Sequence, residues 1–341
     1  AVEAAGFPAE RITLHGAGKT DAELRAALSG RVGRIVLDGL SDARRLAELT
    51  REGGGVTVLL RLNTEVEVAT HDHVRTVGDD VKFGVTRDEE AAAAALVREA
   101  PALRFGGLHA HAGSQIADAA PFVANVSELL AAARRFSEYG LGVATLVAGG
   151  GFGVQYDPQR PGDEIDVAAT IAGCKRRVEE EGLPLSPALE FEPGRSIVAH
   201  AGTTLYEVLA VKRRPGGSIV VVDGGMADNP RPMLYGAYHH VVAVDDDGSP
   251  RRAADVFGRA CESDFIARAE LPERLDRGDY VAVCTTGAYT YGMSSNYNGF
   301  PKPALAGIRD GGHARLLASL GCTPEEMPAT RQSASSDHFV H

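Results

Sequence analysis

The chain has 341 residues, which is too long for one small core and suits one large domain with a smaller one. Its net charge of -11 argues against nucleic acid as the main partner, because a phosphate backbone requires a basic surface. No apolar run of about 18 residues is present, so no membrane span is predicted. The four cysteines are far apart and lack CxxC spacing, which disfavours a zinc site or disulfide framework and favours a cytoplasmic location.

The first two-thirds of the chain alternates short apolar runs with helical patterns. The predicted strands lie near residues 12–15, 35–38, 56–62, 108–111, 145–148 and 189–192. The predicted helices cover about residues 20–28, 41–52, 88–99, 121–139 and 167–181. Thr20 followed by Glu23 predicts a capping box at the first helix. This alternation is typical of a parallel sheet built by helical crossovers.

All six predicted strands end in polar or glycine-rich residues. Such residues at every strand end favour a (β/α)₈ barrel, whereas a doubly wound sheet concentrates them at one or two switch points. A closed barrel needs eight strands, and residues 1–6 read as the tail of a helix. We therefore expect two strand–helix units upstream of residue 1.

The pattern changes after residue 198. Strands rich in Val and Tyr are predicted near residues 203–212, 218–223, 239–244 and 279–284, with turns between them and no long helix. The chain is therefore predicted to contain a barrel domain over residues 1–198 and an all-β domain, a barrel or sandwich, over residues 199–341. The stretch from about Cys322 is expected to be a frayed tail.

Residues 189–195 (LEFEPGR) join a short strand to a carboxylate, a stiff turn and a guanidinium. Pro193 fixes its own φ, and Gly194 is expected to allow a turn that a Cβ would obstruct. Glu192 and Arg195 could form a structural ion pair. Alternatively, Glu192 holds a proton on a ligand nitrogen next to an anion-binding end.

Residues 109–115 (HAHAGSQ) place His109 and His111 on the same face of a strand. A pair of metal ligands is disfavoured because no carboxylate or third histidine stands at a supporting spacing. In the other interpretation, one histidine belongs to the core and the ring of the other packs on a flat ligand. Gly113 and Ser114 then offer a backbone N–H and a hydroxyl that are suited to binding phosphate.

Residues 149–153 (GGGFG) follow a predicted strand. They form either a flexible turn or an anion cradle, in which backbone N–H groups approach a phosphate without Cβ interference. The spacing is not GxGxxG, so a dinucleotide fold is weakly supported.

Three loops of the second domain carry further candidates. Arg231 lies between two prolines, as either a solvated loop residue or a pre-organised guanidinium for a substrate carboxylate with Tyr235 beside it. Cys261 and Glu262 share a loop. A lone cysteine is usually structural, but a Cys–Glu pair in a loop between strands is less readily explained in that way. Tyr289 begins an aromatic loop that either packs on itself or donates to a phosphate.

Eight motifs in order, over about residues 1–305, resemble the fold type III pyridoxal-phosphate decarboxylases, and among them the diaminopimelate decarboxylases. The motifs are HGAGKT, KFG, HAHAGSQ, GGGFG, EPGR, DGGMADNPRPMLYGA, CES and GAYTYGMSSNYNGFP. The resemblance implies an alanine-racemase-like barrel followed by a β domain, pyridoxal 5'-phosphate as cofactor, no metal, and a homodimer with shared active sites. It also implies decarboxylation of meso-2,6-diaminopimelate to L-lysine and CO₂ in lysine biosynthesis.

The same resemblance assigns roles to matched residues. His111 should stack on the pyridine ring, and Glu192 should pair with the ring nitrogen. The phosphate should contact Ser114, Gly151, Gly194 and Tyr289, with Arg195 close by. The substrate should contact Arg195, Arg231, Tyr235, Glu262 and Tyr289. Cys261 and Glu262 resemble the catalytic pair that the family offers across a dimer interface, with Glu262 meeting the distal amino group.

The chemistry agrees with these roles. Loss of CO₂ leaves a carbanion that a protonated cofactor ring can delocalise, and a diacid substrate needs a cationic receptor for the carboxylate that it keeps. The family's Schiff-base lysine stands on the first barrel strand in a YAxKA-like context, which none of the five lysines of this chain shares. That lysine is therefore expected upstream of residue 1.

Three alternative functions remain open from the sequence. One is decarboxylation of another amino acid, such as D-lysine, D-ornithine or a pathway-specific substrate. The second is non-catalytic binding of pyridoxal phosphate, because the lysine is absent from the sequence. The third is a barrel enzyme of sugar-phosphate metabolism, which would bind phosphate at GGGFG. That function does not explain the CES and NPRP motifs.

Overall fold

The computed structural model describes residues 2–64, 66, 82–183, 187–308 and 314–318. The chain divides into two compact units. The first unit contains residues 2–154 and 162–194, and the second contains residues 155–161 and the chain from Arg195 onward. The domain boundary at residue 198 stays a prediction, and the tail predicted from Cys322 lies outside the described residues. Among the described residues, none of the helices is long and apolar enough to span a membrane.

The first unit is built on a parallel six-stranded sheet, as the sequence predicts. Its strands are β1 Thr13–Leu14, β2 Arg34–Leu37, β3 Val56–Arg61, β4 Leu103–His109, β5 Thr145–Val147 and β6 Ala188–Glu190. They lie in chain order across the sheet, and each neighbouring pair is parallel.

Helices connect these strands and confirm the five predicted helical segments. They are α1 Asp21–Leu28, α2 Leu40–Leu49, α3 Glu90–Glu99, α4 Ala120–Glu138 and α5 Val167–Glu181. The predicted capping box at α1 is present, since the Thr20 side chain accepts from Glu23 N at 3.3 Å and Glu23 accepts from Thr20 N at 2.7 Å. The buried faces of the helices cover strand residues that are fully buried, and together they form one core.

The parallel sheet is strongly curved. Arg34 on β2 donates to Glu190 on β6 at 2.9 and 2.7 Å, although β3, β4 and β5 lie between them in the sheet. In a flat sheet, four strand spacings would separate these positions by roughly 19 Å, well beyond the reach of two side chains. The sheet therefore curls as part of a barrel wall, and the carboxyl ends of its strands face a common space.

The second unit is a mixed β-sheet with two short helices, which confirms the predicted fold class of an α/β region followed by an all-β region. Its main strands are β7 Thr204–Arg214, β8 Gly217–Val222, β9 Val241–Ala243, β10 Arg251–Phe257, β11 Phe265–Pro272 and β12 Tyr280–Val283. Their order is β11-β10-β8-β7-β12-β9, and among these pairs β8 and β10 run parallel. The remaining elements are α6 Arg195–Val198, α7 Arg231–Tyr235, and a hairpin of β13 Leu305–Ile308 and β14 Ala314–Ala318.

Strands β10 and β11 were not predicted from the sequence. Their sequences, RRAADVF and FIARAELP, mix charged residues with alanines, so neither reads as a Val-rich strand. Pairing along seven register positions stabilises them instead, with Val256 and Ile266 turned into the core of the second unit.

Candidate active site

Three strand ends of the first unit bring together a carboxylate and two histidines. Glu192 follows β6, His109 ends β4, and His15 follows β1. His15 Nε2 lies 2.8 Å from Glu192 Oε1, and His109 Nε2 lies 2.9 Å from Glu192 Oε2. We call these three residues the carboxylate–histidine cluster. One imidazole nitrogen of each histidine and one carboxylate oxygen lie within 4.8 Å of one another. The assumption made from the sequence, that no carboxylate or third histidine supports the pair His109 and His111, was wrong.

The protonation state of the cluster follows from its hydrogen bonds. A carboxylate can only accept, so both histidines donate an Nε2–H to Glu192. Burial lowers the pKa of His109, which is therefore neutral at neutral pH. Its buried Nδ1 is an acceptor without a hydrogen-bond partner in the described part of the chain. Burial raises the pKa of Glu192, but the hydrogen bonds from His109 and His15 outweigh it and hold that pKa well below its usual range.

His111 is held by a different contact. Its Nδ1 accepts a hydrogen bond from Gly150 N at 3.3 Å. Burial, with a smaller contribution from Arg61, lowers the pKa of His111 to about 4, so the ring is neutral and carries its proton on Nε2. The contact fixes the orientation of this ring beside the glycine loop.

The loops that follow β4 and β5 are bonded to each other. Ile116 N donates to Gly151 O at 2.9 Å, and Gly153 N donates to Ile116 O at 2.9 Å. Gln115 has a positive φ of 59°, and its side-chain amide bonds the backbone of Val154 in both directions. The half-buried Ser114 stands beside this junction. The two predicted phosphate-binding segments therefore form one connected structure.

The glycine loop is packed too closely for side chains. A Cβ on Gly150 would lie 2.1 Å from Glu192 O, and one on Gly151 would lie 2.0 Å from Gly113 O. Gly149 and Gly151 also have φ values of +71° and +98°. The packing of the protein itself therefore requires these glycines. The loop lies beside a neutral histidine and an ionised carboxylate, groups that fit a flat ring with a basic nitrogen.

The predicted reason for Gly194 was wrong. Its φ is not positive, and a Cβ built on it would meet no heavy atom within 4 Å among the described residues. The protein itself therefore does not require glycine here. The structural ion pair considered for Glu192 is also not what orients that carboxylate, because each of its oxygens accepts from a histidine.

Two arginines of the second unit flank Tyr156. Arg195 Nη1 donates to the Tyr156 hydroxyl at 2.8 Å, and its guanidinium lies 4.8 Å from the centre of the Tyr289 ring. The Arg231 guanidinium lies 4.9 Å from the centre of the Tyr156 ring. The structure thus brings Arg195 and Tyr289 together, and it adds Tyr156, which the sequence did not single out. Tyr235 ends α7, the helix that Arg231 begins, and is half-buried.

Arg231 is buried, with 7% of its surface exposed. Its Nη1 donates to His239 Nε2 at 3.1 Å, and His239 Nδ1–H donates to Cys284 O at 3.1 Å. Burial lowers the pKa of His239 to about 4, so this histidine is neutral. No carboxylate of a described residue pairs with Arg231. A buried guanidinium without an acidic partner is costly, and a bound anion would offset that cost.

The loop with Cys261 and Glu262 is exposed but well anchored. The Tyr297 hydroxyl donates to Glu262 and lowers the pKa of that carboxyl. The buried Asp264 accepts from Met226 N at 2.6 Å and from Ala260 N at 3.0 Å. Asp264 therefore links the loop that precedes Arg231 to the loop of Cys261, a contact that the sequence did not indicate.

Comparison with known proteins places this chain among decarboxylases. The family described as "Pyridoxal-dependent decarboxylase, pyridoxal binding domain" matches residues 1–199. The diaminopimelate decarboxylase of Actinosynnema pretiosum subsp. auranticum is 41% identical over 324 residues, which cover 92% of this chain and 71% of that protein. The diaminopimelate decarboxylase of Bacillus subtilis (strain 168) is 39% identical, with coverages of 90% and 72%.

A solved structure is similar over nearly the same length. Diaminopimelate decarboxylase from Helicobacter pylori, complexed with L-lysine, superposes with a TM-score of 0.85 at 28% sequence identity. The superposition covers 93% of this chain and 78% of that one.

Proposed function

This chain belongs to the diaminopimelate decarboxylase family of pyridoxal-dependent decarboxylases, and from that membership we propose that it converts meso-2,6-diaminopimelate to L-lysine and CO₂. It is then a carboxy-lyase of lysine biosynthesis with pyridoxal 5'-phosphate as cofactor. Within the structure, the observation that carries this proposal is Arg231, a buried cation without an acidic partner among the described residues. A substrate that keeps one carboxylate after decarboxylation supplies the missing anion.

Several residues of the chain fit the cofactor. Pyridoxal phosphate, when bound, supplies a protonated ring that accepts the electron pair left by the departing CO₂. Glu192, ionised beside two histidines, is proposed to hold the proton on the ring nitrogen, and His111, whose Nδ1 accepts from Gly150 N, is proposed to pack against the ring. The phosphate is proposed to bind at Ser114, Gly151, Gly194 and Tyr289, with Arg195 supplying positive charge.

The second unit has residues that fit the substrate. Arg231, with Arg195 and Tyr235, is proposed to bind the carboxylate that the reaction does not remove, and the neutral His239 keeps Arg231 oriented without competing for the anion. The exposed Glu262, with Cys261 beside it, is proposed to meet the distal amino group across a homodimer interface. Tyr289 is proposed to contact both cofactor and substrate. The cytoplasmic location stays a prediction.

The distal-carboxylate role is tested by Arg231→Ala in the protein expressed from its complete gene. Losing one partner of a buried, hydrogen-bonded charge pair costs roughly 2–5 kcal/mol, so we expect kcat/KM for meso-diaminopimelate to fall by about 30-fold or more. Turnover of an amino acid with a single carboxylate should change far less, because it lacks the group that Arg231 binds. Product L-lysine and released CO₂ are the measured quantities.

Arg268→Ala is the matched control, because Arg268 lies on β11 with 66% of its side chain exposed. This variant should keep the wild-type preference for the diacid. Equal losses on diacid and monoacid in the Arg231 variant would remove the proposed role. A wild-type protein that prefers an amino acid with one carboxylate would support the alternative decarboxylases instead.

A further inference from the structure

The carboxylate–histidine cluster is more elaborate than a carboxylate that simply meets a ring nitrogen. The ends of three strands contribute one residue each. His109 and His15 lie 83 positions or more before Glu192 in the sequence. Both oxygens of Glu192 accept from an imidazole, at 2.8 and 2.9 Å. The rings of His15 and His109 also meet edge to face, with centroids 5.0 Å apart. The carboxylate is thus fixed in position from two sides.

The two histidines differ in how they are held. His109 has 2% of its surface exposed and lies in the wall of the sheet, whereas 36% of the His15 side chain is exposed. His109 is therefore part of the core of the first unit, and replacing it risks the fold. His15 can be replaced with little effect on packing, so its contribution can be measured separately.

The cluster leaves Glu192 able to accept a further proton donor. Two ionised oxygens offer about four lone-pair sites, and the histidines occupy two of them. The Glu192 side chain is 36% exposed, so the remaining sites can be reached by a ligand. Without donors on its oxygens, a carboxylate in this partly buried place would be easier to protonate, and a protonated carboxyl would no longer stabilise a cationic ring nitrogen.

We propose that His15 is a positioning residue for Glu192, which with His109 keeps this carboxylate ionised and aimed at the protonated nitrogen of the cofactor ring. This inference rests on the proposed function, since it assumes that Glu192 meets that nitrogen. It goes beyond the family-derived roles, which give His15 no part. His15 acts through Glu192 and needs no contact with the cofactor.

The test compares two ligands that differ at a single ring atom. Pyridoxal 5'-phosphate has the ring nitrogen, and 1-deazapyridoxal 5'-phosphate has a C–H group in its place. Their dissociation constants are measured on the protein expressed from its complete gene, by fluorescence titration with EDTA present, so that no metal ion takes part. The preference ratio of the two ligands isolates the interaction between Glu192 and the nitrogen.

Three proteins are compared: wild type, His15→Ala and His15→Gln. A hydrogen bond to a charged group changes an equilibrium constant by about tenfold or more, so His15→Ala should lower the preference for the nitrogen-containing ligand by about tenfold. Binding of the deaza ligand should stay within about twofold, because Glu192 has no proton to meet there. His15→Gln places an amide N–H near the position of Nε2 and should restore most of the preference.

Each outcome decides the matter. Equal weakening of both ligands by His15→Ala indicates a merely structural role and overturns the inference, as does a preference that the variant leaves unchanged. A wild-type chain without any preference, or without binding, instead removes the proposed role of Glu192 and the inference with it. Reduced preference in the alanine variant and recovery in the glutamine variant support the proposal.

Discussion

At the scale of single residues, Gly150 and Gly194 form a matched pair. Both lie in segments proposed to hold the cofactor. A Cβ on Gly150 would overlap Glu192 O at 2.1 Å, whereas one on Gly194 would meet no atom of a described residue within 4 Å. Gly150→Ala is therefore expected to lower the free energy of unfolding by about 2 kcal/mol or more, because backbone must shift. Gly194→Ala should leave it within about 0.5 kcal/mol.

Chemical denaturation of both variants measures this difference, and titration with pyridoxal phosphate adds the functional readout. If the phosphate approaches Gly194, the Gly194→Ala variant should bind the cofactor more weakly while its free energy of unfolding stays unchanged. Equal stability losses in the two variants would contradict the steric argument. Unchanged cofactor affinity in the Gly194 variant would remove this residue from the phosphate site.

Residue-level prediction from the sequence singled out residues where one motif carries its own chemistry. The sequence identified Glu192 as the acid of a stiff turn and Arg231 as a guanidinium between two prolines. In the structure Glu192 accepts from two histidines and Arg231 is buried, and their roles toward cofactor and substrate stay predictions. His15 was visible only as a polar residue at a strand end. Its contact with Glu192 depends on the curvature of the whole sheet, which no local pattern contains.

At the scale of elements, the loops of the second unit depend on buried acids. Asp264 accepts from two backbone N–H groups on different loops, and a Cβ on Gly225 or Gly258 would lie 2.3 or 2.1 Å from its carboxylate. The glycines therefore let two loops close around one carboxylate. Sequence reasoning found the loops but gave Asp264 no role, because its partners are backbone groups that leave no signature in the side chains.

The raised pKa of Asp228, a second acid near Asp264, predicts how the stability of the protein depends on pH. Burial, followed by the charges of Asp223 and Asp264, raises the pKa of Asp228 to about 6, against an opposing hydrogen bond from Gly225 N. The folded state then binds this proton more tightly than the unfolded chain does. The stabilising contribution of the protonated form is complete below about pH 4 and is lost as the pH rises through about 6.

The free energy of unfolding of Asp228→Asn should therefore increase relative to that of wild type as the pH rises from about 4 to 7. The expected increase is about 1 kcal/mol, because solvent screens the charge of this partly exposed group. Asparagine can still accept from Gly225 N, so the loop geometry is kept. Thermal unfolding at both pH values measures the change. Asp245→Asn, on an exposed turn, is the control, and a pH-independent difference for the Asp228 variant would contradict the assignment.

Element prediction failed where pairing rather than composition decides the structure. The helices carry their amphipathic pattern in one segment and were predicted closely, including the capping box at Thr20. Strands β10 and β11 carry arginines, acids and alanines, and their stability comes from each other through seven paired positions. A strand whose pairing partner defines it cannot be recognised from its own residues alone.

At the scale of the whole molecule, the family-derived expectation with the widest consequence is a homodimer that shares its active sites. Glu262 is exposed, and it accepts a hydrogen bond from Tyr297 of its own chain. If one protomer supplies Glu192 to a site and its partner supplies Glu262, two inactive variants can restore activity in a mixed dimer. Sites formed within a single chain cannot recover in this way.

Co-expression of Glu192→Gln with Glu262→Ala, on differently tagged complete proteins, tests this arrangement. Random pairing makes half of the dimers mixed, and each mixed dimer has one site with both native residues, so about a quarter of wild-type decarboxylase activity should return. Each variant expressed alone sets the baseline, and purification through both tags should raise the recovered activity to about half per dimer. Activity that stays at the baseline in the doubly purified sample would show that Glu262 serves its own chain or none.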